Sequence, residues 1–171
     1  MELLSLLNEL KQMKWIDLSH EFGENTPRWP GFESLRKEIK LEFGEYPVRA
    51  YQYSFPGQYG THVDVPGHAD VNGRTLEKID IKECVLPLCV INCSDKVKMN
   101  SDYALSLDDI HDYEKIYGKI PKGAFVAMRS DWGKRWPSQE KFQNMDEYGE
   151  QHYPGWSLEA VKYLIEKRDV T

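Results

Sequence analysis

Apolar residues recur at helical spacing in "MELLSLLNELKQMKW", where Leu3, Leu6, Leu7 and Leu10 fall on one stripe. That spacing predicts an amphipathic surface helix at the N-terminus. The pattern then changes to alternation. "WIDLSHEF" reads as a strand, "GENTPRWPGFES" as a loop rich in Gly, Pro and Asn, and "RKEIKLEFGE" and "VRAYQYSF" as two further strands. "GQYGTHVDVPGH" begins as a strand and is stopped by Pro66 and Gly67, and "CVLPLCVINC" is apolar enough for a buried strand. "SLDDIHDYEKIYGK" has Ser106 at the N-cap position, Asp109 three residues later and Gly118 at its end, so it predicts a helix. "GAFVAMRSDW" predicts a strand that ends in a polar turn, and "SLEAVKYLIEKR", capped by Ser157, predicts a last helix. No repeat, linker or low-complexity tract interrupts this order. Strands first and strand–helix alternation afterwards predict a single α/β (α+β) domain over residues 1–171, with a mixed central sheet flanked by helices. The closing "RDVT" resembles the start of another strand, so the domain is expected to continue past Thr171.

Composition narrows the function classes. A chain of 171 residues, 40% hydrophobic and 12% aromatic, can bury one core. The net charge of −6 argues against a nucleic-acid partner, which would need clustered Lys and Arg. No run approaches the roughly 20 apolar residues of a membrane span. Glu2 and Glu9, with no basic leader, separate the first helix from a secretory signal. Cys84, Cys89 and Cys93 match no zinc-ribbon spacing and are expected as buried thiols in a reducing compartment, which places the protein in the cytoplasm.

The chemistry concentrates in "QYGTHVDVPGH". On a strand, residues two apart share a face, so Gln58, Gly60, His62 and Asp64 would point the same way. An amide oxygen, an imidazole and a carboxylate on one face suit a divalent ion. The Pro66–Gly67 turn would return His68 over that face, where an imidazole can act as general acid or base. The same residues are also compatible with a polar turn holding a hydrogen-bonded His–Asp pair. Arg129, at the end of an apolar strand, is either a carboxylate binder or half of an internal salt bridge. His20 and His111 are expected to be structural.

"QYGTHVDVPGH" resembles the His-x-Gly-Thr-His-x-Asp-x-Pro-x-His signature of the cyclase-like metal-dependent hydrolases, a family that includes kynurenine formamidases and isatin hydrolases. "IDLSHEF…TPRWPG", "KGAFVAMRSDWGKRW" and "HYPGWSLEAVKYLIEK" are similar to further stretches of that family, so the resemblance spans nearly the whole chain. It implies a swivelling β/β/α fold with a mixed sheet or partial barrel. It implies His62 and Asp64 as metal ligands, His68 as proton donor and acceptor, and Trp29 as a wall of the substrate pocket. Gln58 stands where the signature has its first His; an amide oxygen still ligates, and favours Mn²⁺ or Mg²⁺ over Zn²⁺. His152, in the Pro-Gly loop, is expected either to line the pocket or to cap the loop. Trp132 and Phe55 would join Trp29 in stacking on a flat substrate.

The function that this resemblance implies is arylformamidase-like hydrolysis of an aromatic amide or lactam, such as N-formylkynurenine to kynurenine and formate. The cofactor would be a divalent metal, Zn²⁺ or Mn²⁺, with Mg²⁺ also compatible. The partners would be a small-molecule substrate and further copies of the chain, in a dimer or larger homo-oligomer, with no nucleic acid and no membrane. A second ion in the formamidases is completed by a His and a Glu from a later segment, which would lie past Thr171. Two other readings stay open: a metal-dependent cyclase or dehydratase acting on a keto or polyketide-like acid, and a metal- or ligand-binding protein without turnover.

Overall fold

The computed structural model describes residues 2–171. α1 (Leu3–Gln12) forms as the leucine spacing predicts, and all of its side chains remain exposed. The expected strand at "WIDLSHEF" is absent: residues 14–22 run without ladder partners, and their first tie to the body is the His20 N–H donated to Thr61 Oγ1 at 3.0 Å. β1 (Arg36–Leu41) and β2 (Ala50–Ser54) pair antiparallel, with Arg36 opposite Ser54 and Ile39 opposite Tyr51.

The second half carries the larger core. β3 (Leu88–Asn92) and β5 (Phe125–Arg129) run parallel, in register from Leu88 opposite Phe125 to Asn92 opposite Arg129. β3 buries alternate residues, Cys89 and Ile91, as a half-buried strand should. α2 (Ser94–Met99) follows β3, and the two-residue strands β4 (Ala104–Leu105) and β6 (Gly155–Trp156) pair parallel. α3 (Leu107–Tyr117) and α5 (Leu158–Arg168) pack on this layer. Cys89, Ile91, Cys93, Leu105, Ile110, Ala124, Ala160 and Leu164 make its core.

The caps explain why the two long helices begin where they do. Ser106 accepts from the Asp109 N–H while the Asp109 carboxylate accepts from the Ser106 N–H, a reciprocal capping box. Ser157 accepts from the Ala160 N–H, and α5 ends in left-handed Asp169 at φ 50°. The final "RDVT" forms no strand. Instead Asp169 O and Thr171 N–H bond the Gly123–Ala124 turn before β5.

The α/β class and its flanking helices are as expected. The sheet, however, is divided into three two-stranded pieces, and no barrel closes among the described residues. The segment from Gln58 to Val65 is irregular rather than a strand. Cys89 and Cys93 are buried, but Cys84 is exposed, which corrects the expectation for that thiol. No helix among the described residues is long and apolar enough to cross a membrane.

Candidate metal and acid–base site

Gln58, His62, Asp64 and His68 line one cavity of about 500 Å³. Backbone irregularity, not a pleat, brings them together. Gly60 takes φ 68°, and a Cβ there would stand 3.1 Å from the Phe22 ring, so the position requires glycine on two counts. This kink turns the Gly60 carbonyl toward its neighbour two residues on. It lies 2.9 Å from His62 Nδ1, which fixes Nδ1 as the protonated nitrogen and leaves the Nε2 lone pair free. Tyr59 is buried beneath the kink, donating its hydroxyl to Gly23 O at 2.9 Å and accepting from the Leu35 N–H at 3.1 Å.

His62 Nε2 stands 3.6 Å from Asp64 Oδ1. The Gln58 amide nitrogen is 3.4 Å from the same carboxylate oxygen and 3.2 Å from His68 Nδ1. His68 reaches that place because residues 66–68 form a single 3₁₀ turn, with the His68 N–H donated to Val65 O and the Gly67 N–H to Arg74 O.

These spacings fit a divalent ion. Ligands ~2.1 Å from a common ion and tetrahedrally disposed lie ~3.4 Å apart. Among the described residues no three His, Cys, Asp or Glu side chains meet, so the third protein donor must be the Gln58 amide. Its O and N occupy interchangeable positions. With the oxygen turned inward, the set is one imidazole nitrogen, one carboxylate oxygen and one amide oxygen, a mixed and rather hard set.

The cavity's other walls come from two distant loops. Pro27, Arg28, Trp29 and Phe32 form one side; Phe142, Gln143 and Gln151 form the other. Trp29 packs edge-on to Phe32 with centroids 5.2 Å apart. The two sides are stapled by Gln139 in α4 (Gln139–Gln143): its Oε1 accepts from the Arg28 N–H at 2.8 Å and its Nε2 donates to Arg28 O at 2.5 Å. Arg28 is the one cationic side chain in the lining, and its Nε donates to Phe32 O at 3.0 Å.

Four sequence candidates lie outside this lining. Arg129 is an internal ion pair, its Nε 2.8 Å from Asp131 Oδ1, and Arg129 with Lys134 holds the Asp131 carboxyl down at about 2. Trp132 donates its indole N–H to Phe142 O at 3.2 Å and lies under the Arg135 guanidinium, so it braces the wall from behind. His152 turns away from the cavity and bonds Asp102; its neighbour Gln151 faces in. Phe55 packs against Phe22 and Tyr59. Sequence reasoning missed Arg28, Phe32, Phe142, Gln143 and Gln151. The Gln139 staple that assembles them spans 111 positions, and no local pattern signals it. His20 stacks on Trp136 with centroids 4.4 Å apart and His111 meets Tyr163 edge-on, both structural roles.

Comparison with known proteins agrees with this architecture. Residues 16–171 match the model of the Cyclase family, described as putative cyclase. The isatin hydrolase of Roseibium aggregatum is 31% identical over 172 aligned positions, covering 93% of this chain and 65% of that protein. A kynurenine formamidase of Geobacillus thermodenitrificans is 32% identical over 97 positions, 55% of this chain and 46% of that protein. The solved structure of isatin hydrolase A from Ralstonia solanacearum superposes with a TM-score of 0.88 at 29% identity, over 99% of this chain and 70% of that one. The chain thus spans about two thirds or less of the length of the two sequence relatives. With the family model covering all but its first fifteen residues, the chain belongs to the Cyclase family.

Proposed function

We propose that the chain hydrolyses the C–N bond of a planar aromatic lactam or amide, using a divalent ion held by His62, Asp64 and Gln58. The observation that carries this reading is the free Nε2 of His62 facing Asp64 Oδ1 at 3.6 Å inside an aromatic-walled cavity. An ion bound there supplies Lewis acidity and lowers the pKa of a water from 15.7 toward ~7.

The chain's own residues do the rest. Trp29, Phe32 and Phe142 offer flat surfaces on which an aromatic ring stacks, which presents its carbonyl to the His62–Asp64 side. Water adds to the carbonyl carbon, the C–N bond breaks, and the proton released by the water passes through His68 to the leaving nitrogen. The product is a carboxylate beside an aromatic amine, and Arg28 is the cation in the lining that suits that new charge. Likeness to isatin hydrolases over nearly the whole chain favours a lactam as the substrate. Likeness to kynurenine formamidases over half of it supports an N-formyl aromatic amide as the second reading.

The test joins metal analysis to turnover. Purified protein reconstituted with Mn²⁺ is expected to retain the ion through gel filtration and to open isatin or N-formylkynurenine. The Asp64→Ala variant is expected to lose the ion with the anionic ligand. Equal metal content in parent and variant would place the ion elsewhere and overturn the reading.

A further inference from the structure

The cavity wall from Asn144 to His152 is a loop closed on itself. Met145 bridges antiparallel to Gln151 at its neck. The His152 N–H donates to Asn144 O at 3.2 Å, and Asn144 Nδ2 donates to His152 O at 2.7 Å. Inside it, Asp146 Oδ1 accepts from the N–H groups of Tyr148 and Glu150, each at 2.9 Å. The pocket-facing amides Gln143 and Gln151 flank the neck.

One side chain ties this loop to the β3–α2–β4 layer. His152 Nδ1 lies 2.7 Å from Asp102 Oδ2, in the turn between α2 and β4, and its Nε2 lies 3.5 Å from Asp146 Oδ2 in the loop itself. A neutral imidazole carries one N–H and can serve one of these carboxylates. Only the imidazolium donates to both.

We propose that His152 is a positioning residue whose imidazolium clamps the Asn144–His152 loop to Asp102, and so holds Gln151 in the wall of the substrate pocket. Asp102 and Asp146 are the charged groups that face the ring, and the bond to Asp102 above all raises its pKa from the ordinary 6.5. For a histidine raised on folding, the clamp is complete below about 6.5 and is lost as pH rises through the folded value. That Gln151 meets substrate rests on the proposed hydrolase function; the clamp itself does not.

Amide hydrogen exchange over residues 145–151 between pH 6 and 9, corrected for the intrinsic rate, tests the clamp without requiring turnover. In the parent, protection is expected to fall about three- to fivefold as pH rises, the scale of a partly exposed ion pair. His152→Gln should show the low protection at every pH. His152→Arg, a permanent cation with a two-pronged donor, should keep protection high throughout. Asp102→Asn should shift the fall to lower pH. With isatin as the probe, His152→Gln should raise KM several-fold and leave kcat nearly unchanged. Equal protection in parent and His152→Gln at pH 6, or a His152→Arg variant that behaves like His152→Gln, overturns the clamp. Loss of protection with pH in a protein that opens neither isatin nor N-formylkynurenine overturns the hydrolase reading and leaves the clamp standing.

Discussion

The Glu114 carboxylate joins α3 to α5 and offers a stability measurement independent of the metal site. Its Oε1 accepts from Arg168 Nε at 2.5 Å and the Ile120 N–H at 3.1 Å; its Oε2 accepts from Arg168 Nη2 at 2.8 Å and the Tyr163 hydroxyl at 3.0 Å. The side chains are only 10% and 15% exposed, so solvent screens the pair weakly. The Arg168 guanidinium, helped by the Ile120 N–H and the Tyr163 hydroxyl and opposed by burial, holds the Glu114 carboxyl at about 2 against an ordinary 4.5. That difference corresponds to ~3 kcal/mol at pH 7. The pKa is depressed on folding, so the contribution is present above 4.5 and is lost as pH falls through about 2; roughly half of it is gone by pH 3. Glu114→Gln removes the charge, keeps the shape and leaves Arg168 without its counter-ion, so it should cost ~3 kcal/mol at pH 7. Urea unfolding of parent and variant at pH 7, 5, 4 and 3, followed by tryptophan fluorescence, reads this directly. A cost below ~1 kcal/mol at pH 7, or one unchanged between pH 7 and 3, would refute an ionic origin. Metal retention should be equal in the two proteins, because the pair lies on the β3–β5 layer and not on the 58–68 segment.

Two further outcomes concern the site. His68→Ala should keep the ion and lose roughly 10²–10⁴ in turnover of isatin, the usual worth of a positioned acid–base group; loss of metal together with activity would make His68 a ligand. Gln58→His should tighten Zn²⁺ in a competition titration against a chromogenic chelator, since imidazole is the better donor to that ion; unchanged zinc affinity would remove residue 58 from the ion's surroundings.

Local chemistry was legible in the sequence wherever it was local in the structure. Ser106–Asp109 and Ser157 announced α3 and α5, and the capping bonds are present in both helices. Alternation found β1, β2, β3 and β5. It failed at "WIDLSHEF", where the period is correct but no partner strand lies alongside, because alternation reports a face and not a neighbour. It also misassigned residues 58–65. There, period 2 placed Gln58, His62 and Asp64 on one side, and the structure does bring them into one cavity, but through the positive φ of Gly60. Arg129 was legible only as a pair of alternatives, because its partner Asp131, two residues away, is visible in sequence while the cavity is not. Arg28, Phe142 and Gln151 were out of reach for the same reason: they meet through Gln139, which no spacing links to residue 28.

Gln58 holds the site's two functions together. As drawn, its amide nitrogen faces both Asp64 Oδ1 and His68 Nδ1, so His68 accepts at Nδ1 and carries its proton on Nε2. Rotating the amide by half a turn places its oxygen at the same two distances. That oxygen is then a ligand for an ion beside Asp64, and it can accept a proton from His68 Nδ1, which moves the free lone pair of His68 to Nε2. The two orientations therefore prepare His68 as acid or as base, and the one that favours ion binding is the one that makes His68 a base, the state needed to take a proton from water. A histidine at position 58 offers one lone pair and cannot exchange roles in this way without changing tautomer. The glutamine thus trades strength of ligation for a link between ion binding and the proton inventory of His68. It does so on a segment whose shape is set by Gly60 and by buried Tyr59, rather than by a strand that would tolerate a slip in register.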